Sequence, residues 1–324
     1  MLGIEDKRLA LPGGRTLAYA DSGNTSSSRV ILFLHGAFAV GTAHWPAPSP
    51  VLSQQNVHYV APSLPGWGCT SPVPDPYAFA TTLRSDITTL ITHLHSDDPE
   101  LKLYICGHSF GTVSAQILYG SSYDVFPLGR CIAGLLLLAP YSPPHCHQDY
   151  TKTMSWSCYF MTGPPALYMP FNLFPRLAVF AMGKRIKDES STEVFIRSLL
   201  FDSMGHDEYD AFEEWREAHG FTDGQLERNL MRNLMKSVAR SWRGFLDIPA
   251  IYHSGWDAFY PDKLDEEHVK PVLIVASTRD NNTPPDMPLW LAKTLQGATL
   301  KVVDGGHMGA MFHMDEIWKQ VLDA

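Results

Sequence analysis

A serine with the surroundings of a nucleophile lies in the run Gly107-His108-Ser109-Phe110-Gly111. Residues 101–106 form an apolar run typical of a buried strand, and residues 112–119 have the apolar spacing of a helix. Between a strand and a helix, Gly-x-Ser-x-Gly is typical of a sharp turn that exposes a reactive serine. The glycines are needed because the strained backbone leaves no room for side chains two residues away. The sequence therefore predicts Ser109 as a nucleophile.

A serine hydroxyl needs an adjacent base, which is itself held by a third group. His307 follows the last predicted strand at the end of an Asp-Gly-Gly-His sequence, where the glycines let a tight loop turn the imidazole inward. Asp280 follows the strand predicted at 271–276, and the other usual place for the acid, after residues 131–139, has no carboxylate. The order Ser109, Asp280, His307 is the one expected after such a turn. The structural alternatives are a surface histidine and a loop-capping aspartate.

A further loop could stabilise negative charge on a substrate oxygen. The run His35-Gly36-Ala37-Phe38 ends the apolar strand predicted at 30–34. Acyl transfer needs two backbone N–H donors aimed at the developing oxyanion. We expect one donor from Phe110, the residue after the nucleophile, and the other from Ala37, with Phe38 as the alternative. A loop that only packs against the serine turn is the structural alternative, and His35 is expected to be a structural hydrogen-bonding residue.

Alternating strands and helices must position these residues. The predicted strands lie at 8–11, 15–20, 30–34, 57–61, 101–106, 131–139, 271–276 and 299–303. The predicted helices lie at 78–95, 112–119, 286–296 and 308–322. The first two strands form a hairpin around a Pro-Gly-Gly turn. The remaining alternation predicts the α/β class, with a mostly parallel central sheet flanked by helices on both faces.

The alternation stops after Pro140 and resumes near residue 271. We predict a core of residues 1–140 and 270–324, with residues 141–269 inserted as a helical cap over the carboxyl edge of the sheet. The cap contains an acidic helix at 207–217 and an amphipathic helix whose apolar positions run from Leu226 to Trp242. Its aromatic residues form either the cap's own core or the walls of a cleft. The predicted substrate contacts are Phe38, His108, Tyr141, Trp156 and Phe160.

Composition and charge exclude several classes of function. The 324 residues are 45% hydrophobic and 18% charged, as in an ordinary globular protein. The net charge of −9 disfavours nucleic acid as a partner, because no extended basic surface is available to follow phosphates. No stretch reaches the roughly 18 apolar residues of a membrane span, and residues 1–20 show no secretory signal. Together with five scattered cysteines, this predicts a cytoplasmic chain with free thiols.

The chain resembles the α/β-hydrolase superfamily over nearly its whole length, in the branch with a serine nucleophile and a helical cap. The resemblance is carried by the hairpin, the His35 loop, residues 64–71, the serine turn, the Asp280 loop and His307, in the family's order. One departure is Ser63, where the family often has aspartate, and it is expected to affect the bracing of a loop. Another is Phe38, where members similar to epoxide hydrolases usually have proline. With serine as the nucleophile, Phe38 counts against epoxide hydrolases and dehalogenases.

The residues and the resemblance together predict a serine hydrolase, an esterase or lipase, that cleaves a carboxylic ester or related acyl compound. Similar scaffolds include carbon–carbon bond hydrolases and hydroxynitrile lyases, which the sequence does not separate from esterases. A non-catalytic ligand-binding homologue is a third alternative, although all three catalytic candidates are present. The aromatic, Met-rich cap predicts a small-molecule substrate that is medium-sized and largely apolar. No metal or other cofactor is expected, since His145, His147 and Asp149 lack a second cluster of ligands.

Overall fold

The computed structural model describes residues 3–96, 98–202 and 204–323, and within them eight strands form one sheet. The strands are β1 (Lys7–Ala10), β2 (Thr16–Gly23), β3 (Arg29–Leu34), β4 (His58–Pro62), β5 (Lys102–His108), β6 (Ile132–Leu138), β7 (Val272–Ser277) and β8 (Ala298–Val303). Their order is β1-β2-β4-β3-β5-β6-β7-β8, with β2 antiparallel to both neighbours and every other pair parallel. The predicted α/β class is confirmed.

Helices flank the sheet and fill the chain between β6 and β7. Those before β6 are α1 (Pro50–Gln54), α2 (Phe79–Leu94) and α3 (Gly111–Tyr119). Between β6 and β7 lie α4 (Trp156–Thr162), α5 (Pro164–Tyr168), α6 (Leu173–Gly183), α7 (Glu189–Leu200), α8 (His206–Ala218), α9 (Gln225–Val238), α10 (Arg243–Leu246) and α11 (Ile248–Tyr252). After β7 come α12 (Asp286–Thr294) and α13 (Met314–Leu322). Of the described helices, none has the length and apolar character needed to cross a membrane.

The inner parallel strands, β3 to β7, are largely buried on both faces, whereas the edge strand β8 is partly exposed. Along β3, Val30, Leu32 and Leu34 pack into an apolar cluster that includes α2 and α3, while Ile31 and Phe33 pack into a second cluster that includes α13. Successive side chains of a strand point to opposite faces, so a strand covered on both sides must be apolar throughout. This requirement explains the uninterrupted apolar run of residues 30–34 in β3.

Two predicted helices differ from the structure by more than two residues at one end. The helix predicted at 308–322 divides into a 3₁₀ turn, Gly309–His313, and then α13. In and before this turn, N–H groups bond to carbonyls three residues earlier, which tightens the chain after the last strand. Helix α9 ends at Val238, so the apolar spacing that continues to Trp242 does not belong to it. Trp242 instead packs edge-on against Phe38, with ring centres 6.3 Å apart.

The predicted site residues follow strands that run in the same direction. The loop of residues 35–38 follows β3, Ser109 follows β5, Asp280 follows β7 and His307 follows β8. Since these strands are parallel, their carboxyl ends meet at one edge of the sheet, where open α/β sheets bind ligands. The topology therefore brings residues that are far apart in sequence to one place.

Candidate active site

Ser109 lies in a strained turn between β5 and α3. Its φ angle is 52°, in the left-handed region that residues other than glycine rarely adopt. Its N–H donates to the carbonyl of Leu138 on β6 at 2.9 Å, and its carbonyl accepts from the Thr112 hydroxyl at 2.6 Å. A Cβ atom at Gly107 would lie 2.7 Å from the Gly111 carbonyl oxygen, and one at Gly111 would collide with the backbone at the end of β3. The turn therefore requires both glycines.

The imidazole of His307 contacts both of the other predicted catalytic residues. Its Nε2 atom lies 2.8 Å from Ser109 Oγ, and its Nδ1 atom lies 2.8 Å from Asp280 Oδ2. Because a carboxylate can only accept, Nδ1 carries the imidazole proton and Nε2 is left to accept from the serine hydroxyl. The structure thus brings a hydroxyl, an imidazole and a carboxylate together in one hydrogen-bonded series.

Asp280 is held as a charged carboxylate. Its side chain is 1% exposed, and it accepts hydrogen bonds from two N–H groups, of Asn282 and Thr283, and from the Thr283 hydroxyl as well as from His307. Burial alone would raise the pKa of this carboxyl group, but the charge and hydrogen bond of His307 and the bonds from Thr283 outweigh it and lower the pKa to about 2. Asp280 is therefore ionised at neutral pH and can stabilise a positive charge on His307.

The loop after β3 lies against the Ser109 turn. A Cβ atom at Gly36 would be 3.0 Å from Ser109 Cβ, so the two backbones approach each other closely. His35 braces the loop, because its Nδ1–H donates to the Gly36 carbonyl and its Nε2 accepts from the Leu64 N–H, both at 2.8 Å. Burial lowers the pKa of His35 to about 4, so the ring is neutral and suited to this structural role.

Two backbone N–H groups next to Ser109 have no acceptor among the described residues. They belong to Phe110, which follows Ser109 in the chain, and to Ala37, which follows the closely approaching Gly36. Phe38, the alternative donor, has a φ angle of 59°, and its ring packs against Trp67 and Phe245. A pair of free donors beside a nucleophile is the arrangement that stabilises an oxyanion.

A cavity of about 740 Å³ opens at Ser109 and His307. The loop after β3 and the helices between β6 and β7 form its walls. Many of the lining side chains are apolar, among them Met161, Ala178, Met182, Leu230 and Phe245. Three of the predicted substrate contacts, Phe38, His108 and Tyr141, line this cavity.

The other two predicted substrate contacts, Trp156 and Phe160, lie outside the cavity. Trp156 is 77% and Phe160 38% exposed, and their rings stack with centres 6.1 Å apart on the outer face of α4. Residues four apart lie on the same face of a helix, so both rings turn outward together. The opposite face of α4 presents Cys158 and Met161 to the cavity.

His108 is a neutral ring beside His307. Its ring centre lies 5.4 Å from that of His307 and 4.7 Å from that of Trp45. Burial, together with the nearby charge of His307, lowers the pKa of His108 to about 3. Its Nε2 atom is buried and has no hydrogen-bond partner within the described part of the chain. His108 therefore forms part of the cavity wall and is not charged at neutral pH.

Glu208 of α8 is a buried acidic residue that the sequence did not single out. One of its oxygens accepts from the Gly306 N–H at 2.7 Å, and the other accepts from the Arg279 guanidinium at 3.1 Å. Gly306 and Arg279 directly precede His307 and Asp280, so one carboxylate contacts both loops. In the sequence it is one of several acids in the predicted acidic helix, and no local pattern distinguishes it.

The side chains considered as metal ligands have separate partners. His145 Nε2 donates to the carbonyl of Phe259 at 2.7 Å, and His147 Nδ1 lies 2.8 Å from the Ser142 hydroxyl. Across residues 3–96, 98–202 and 204–323, no group of three or more His, Cys, Asp or Glu side chains is placed to hold a metal ion.

The sequence matches the alpha/beta hydrolase family over residues 31–322. This range is most of the chain, and the chain therefore belongs to that family. The match agrees with the resemblance carried by the serine turn and the loops around it. Among curated proteins, no sequence matches this chain.

Several solved structures share the fold at low sequence identity. A hydrolase from Pseudomonas aeruginosa PA01 superposes with a TM-score of 0.63 at 16% identity, over 98% of this chain and 97% of that one. An esterase from Rhodococcus sp. ECU1013 superposes with a TM-score of 0.60 at 14% identity, over 97% of this chain and 96% of that one. An epoxide hydrolase from Vigna radiata superposes with a TM-score of 0.60 at 16% identity, over 99% of this chain and 97% of that one. At these identities the similarity shows the fold and not the reaction.

Proposed function

We propose that this chain is a serine hydrolase that cleaves a carboxylic ester or a related acyl compound. The observation that carries the proposal is the hydrogen-bonded series from Ser109 Oγ through His307 to Asp280, with both distances at 2.8 Å. Such distances allow proton transfer between a nucleophile and its base. Membership of a hydrolase family supports the same reaction class.

In the acylation half-reaction, Ser109 Oγ attacks the ester carbonyl carbon while its proton passes to His307 Nε2. Asp280 stabilises the imidazolium through the hydrogen bond from Nδ1. The oxygen of the tetrahedral intermediate accepts hydrogen bonds from the N–H groups of Ala37 and Phe110. When the intermediate collapses, the bond to the alcohol breaks, and the alcohol leaves with the proton from His307. The acyl group remains on Ser109.

In the deacylation half-reaction, His307 removes a proton from water as the water oxygen attacks the acyl carbon. The second tetrahedral intermediate uses the same two N–H donors. Its collapse breaks the bond to Ser109 Oγ, which regains its proton from His307, and releases the carboxylic acid. Every proton in the cycle is carried by His307, so the geometry of one imidazole controls both half-reactions.

We further propose that residues 141–269 act as a cap over a core of residues 1–140 and 270–324. Helices of this segment and loops of the core line the same cavity, which supports the division. A volume of about 740 Å³ with mainly apolar walls suits a medium-sized, largely apolar acyl substrate. Phe38, His108 and Tyr141 are the proposed contacts nearest the nucleophile.

Labelling with a fluorophosphonate probe tests the nucleophile. The wild type is expected to gain one adduct, located at Ser109 by mass spectrometry of its peptides, and Ser109→Ala is expected to gain none. Ser114→Ala is the matched control, because this buried hydroxyl on α3 has no hydrogen-bond partner among the described residues. Labelling of Ser109→Ala at the wild-type rate contradicts the proposal.

A substrate panel separates the reactions that the same residues could catalyse. It contains p-nitrophenyl esters of short and medium acyl chains, β-diketones and a cyanohydrin. Ester turnover that is lost in Ser109→Ala supports the proposal. Turnover of the diketones or the cyanohydrin alone assigns the site to carbon–carbon cleavage or lyase chemistry. No turnover of any of them, together with no labelling, indicates a ligand-binding homologue.

A further inference from the structure

Several large apolar side chains on helices α4 to α6 and their connections are exposed to solvent. We call this surface the aromatic face, and its members are Trp156, Phe160, Tyr168, Phe171, Leu177 and Phe180. Tyr168 and Phe171 are 79% and 87% exposed. The helices α4, α5 and α6 pack against one another, and Phe160 contacts both Trp156 and Phe174, which links the exposed rings of α4 to α6. A contiguous exposed apolar patch marks an interaction site, whereas single exposed residues do not.

The backbone at Phe171 and Asn172 is strained, and of these two residues the Asn172 side chain donates to the carbonyl of Leu246 at 3.3 Å. Its φ angle is 61°, and that of Asn172 is 53°, both in the left-handed region. Two successive residues in this region cost free energy that packing normally offsets. The side chain of Phe171 is almost fully exposed, so the chain itself supplies little packing. A partner that covers the Phe171 ring would supply the packing that the chain itself does not.

The chain around the aromatic face is basic, although the whole protein has a net charge of −9. Residues 150–187 contain no Asp or Glu, and their basic residues are Lys152, Arg176, Lys184, Arg185 and Lys187. Asp149 and Asp188, just outside this segment, pair with Lys152 and Lys187. Within the described part of the chain, the other three have no carboxylate partner.

Charge and aromatic surface coincide at Phe180. The ammonium group of Lys184 lies 4.1 Å from the centre of the Phe180 ring, at the end of α6. Arg176 is exposed on the same helix, one residue before Leu177. The aromatic face therefore combines exposed apolar rings with positive charges that have no carboxylate partner among the described residues.

We propose that the aromatic face docks on the surface of an anionic phospholipid membrane. Aromatic rings are favoured at the boundary between headgroups and acyl chains, and Lys and Arg are attracted to anionic headgroups. The acidic remainder of the protein is repelled by the same surface, which orients this face toward the lipid. A second copy of the chain fits less well, because a two-fold contact would bring the same basic surface of two copies together.

The helices that carry the aromatic face also form a wall of the cavity. Cys158 and Met161 of α4 and Ala178 and Met182 of α6 line the cavity from the opposite side. A helix with its side chains is about 10 Å thick, so a docked membrane would lie one helix layer from the cavity. This proximity suits the apolar substrate of the proposed function, whereas the docking itself does not depend on that function.

Co-sedimentation with vesicles tests the proposal. The wild-type chain is mixed with vesicles of phosphatidylcholine alone or of phosphatidylcholine with phosphatidylserine. We expect binding to the mixed vesicles that weakens as salt is added, and little binding to the neutral ones. Phe171→Ser/Phe180→Ser is expected to weaken the binding about tenfold or more. Tyr77→Ser/Val125→Ser, which alters two exposed apolar side chains elsewhere, is the control and should bind as the wild type does.

A second pair of variants tests the charge. Arg176→Ala/Lys184→Ala is expected to reduce affinity for the mixed vesicles about tenfold or more, because each lost basic residue weakens attraction to anionic lipid. Lys293→Ala/Lys319→Ala removes the same charge from exposed positions on α12 and α13 and should leave the affinity unchanged. Circular dichroism spectra that match the wild type establish that each variant is folded.

The outcomes separate the possible occupants. No binding of the wild type to mixed vesicles overturns the proposal, and so does equal weakening by the aromatic-face variants and their controls. If vesicles are not bound but sedimentation shows a dimer that Phe171→Ser/Phe180→Ser dissociates, the face is an interface between copies. Ser109→Ala is expected to bind vesicles as the wild type does, so a failure of docking and a failure of the hydrolase proposal are distinguishable.

Discussion

The carboxylate of Glu208 accepts a hydrogen bond from the backbone N–H of Gly306, the residue before His307, at 2.7 Å. Its other oxygen accepts from Arg279, the residue before Asp280. Arg279 also donates to Asp304 at 3.0 Å, and its own N–H donates to the carbonyl of Gly305. Helix α8 is thereby tied to both loops that carry the imidazole and the carboxylate. Glu208 is a positioning residue, since it acts through the backbone beside His307.

Removal of the Glu208 carboxylate is expected to misplace His307. We expect Glu208→Ala to lower kcat for an ester about tenfold, because a small displacement of a catalytic group costs that much or more. Glu208→Gln keeps one acceptor oxygen for the Gly306 N–H and should restore part of the rate. Steady-state kinetics measure both, with Glu214→Ala, an exposed acid of the same helix, as the control. Equal rates for the Ala and Gln variants would contradict the positioning role.

The charge of Asp280 is expected to be essential for turnover. Asp280→Asn keeps the size of the side chain but can donate its amide to His307 and so stabilise the wrong tautomer. We expect kcat to fall by about 10³–10⁴-fold with little change in KM. Asp286→Asn, an exposed acid at the start of α12, is the control and should retain the wild-type kcat. Steady-state kinetics measure kcat and KM of both variants. A fully active Asp280→Asn would show that Asp280 is not needed for catalysis.

His108 is expected to make the protein less stable in acid. Its pKa is about 3 in the folded chain against an ordinary value of 6.5, so below pH 6.5 the unfolded chain binds a proton that the folded chain does not. The free energy of unfolding therefore falls as the pH falls, and this residue alone accounts for about 2 kcal/mol between pH 7 and pH 5. Urea unfolding of the wild type and of His108→Phe at both pH values measures the difference.

The variant His108→Phe should lose about 2 kcal/mol less than the wild type over this pH interval. For each protein, the free energy of unfolding at pH 5 is subtracted from that at pH 7. Any effect of the substitution on stability that does not depend on pH therefore cancels. His93→Gln, which alters an exposed histidine of α2, is the control and should show the wild-type dependence on pH. If His108→Phe and the wild type respond to pH identically, His108 is not the buried neutral ring described here.

The two faces of α4 are expected to affect substrate preference differently. Met161→Phe enlarges a side chain that lines the cavity, so it should shift preference toward shorter acyl chains, by about tenfold in the ratio of kcat/KM values. Phe160→Ala alters the outer face and should leave that ratio unchanged. The measurement is kcat/KM for a short and a medium p-nitrophenyl ester. A shift of the ratio by Phe160→Ala as large as that by Met161→Phe would show that the outer face contacts the substrate.

The residues that the structure brings together were predictable because each is marked by a short-range signal. Glycines flank Ser109 and precede His307, and each of the three residues lies within a few residues of the end of a predicted strand. Parallel strands end at one edge, so the order of elements alone indicates that these positions meet. Neither the local residue pattern nor the order of elements requires knowledge of how distant parts of the chain pack.

The features that were missed depend on packing between distant segments. Which face of α4 meets the cavity is decided by how that helix packs, and Trp156 and Phe160 give no sign of it in the sequence. Ser63 is a second example. Its hydroxyl donates to the Glu5 carboxylate at 2.8 Å and accepts from the Gly41 N–H at 3.0 Å. A carboxylate from the N-terminal segment thus lies beside the position where the resemblance noted in the sequence leads us to expect aspartate.

The helices between β6 and β7 leave the sheet and return to it at adjacent strands, since Leu135 pairs with Val272 across those two strands. The segment leaves β6 at the carboxyl edge of the sheet and rejoins the sheet at the amino end of β7, and Ser109, Asp280 and His307 all lie outside it. Segments from other hydrolases could be exchanged between these two strands to create enzymes with new specificities. A transplanted segment without a carboxylate in the place of Glu208 is expected to lower kcat, because the Gly306 N–H and Arg279 would lose their acceptor.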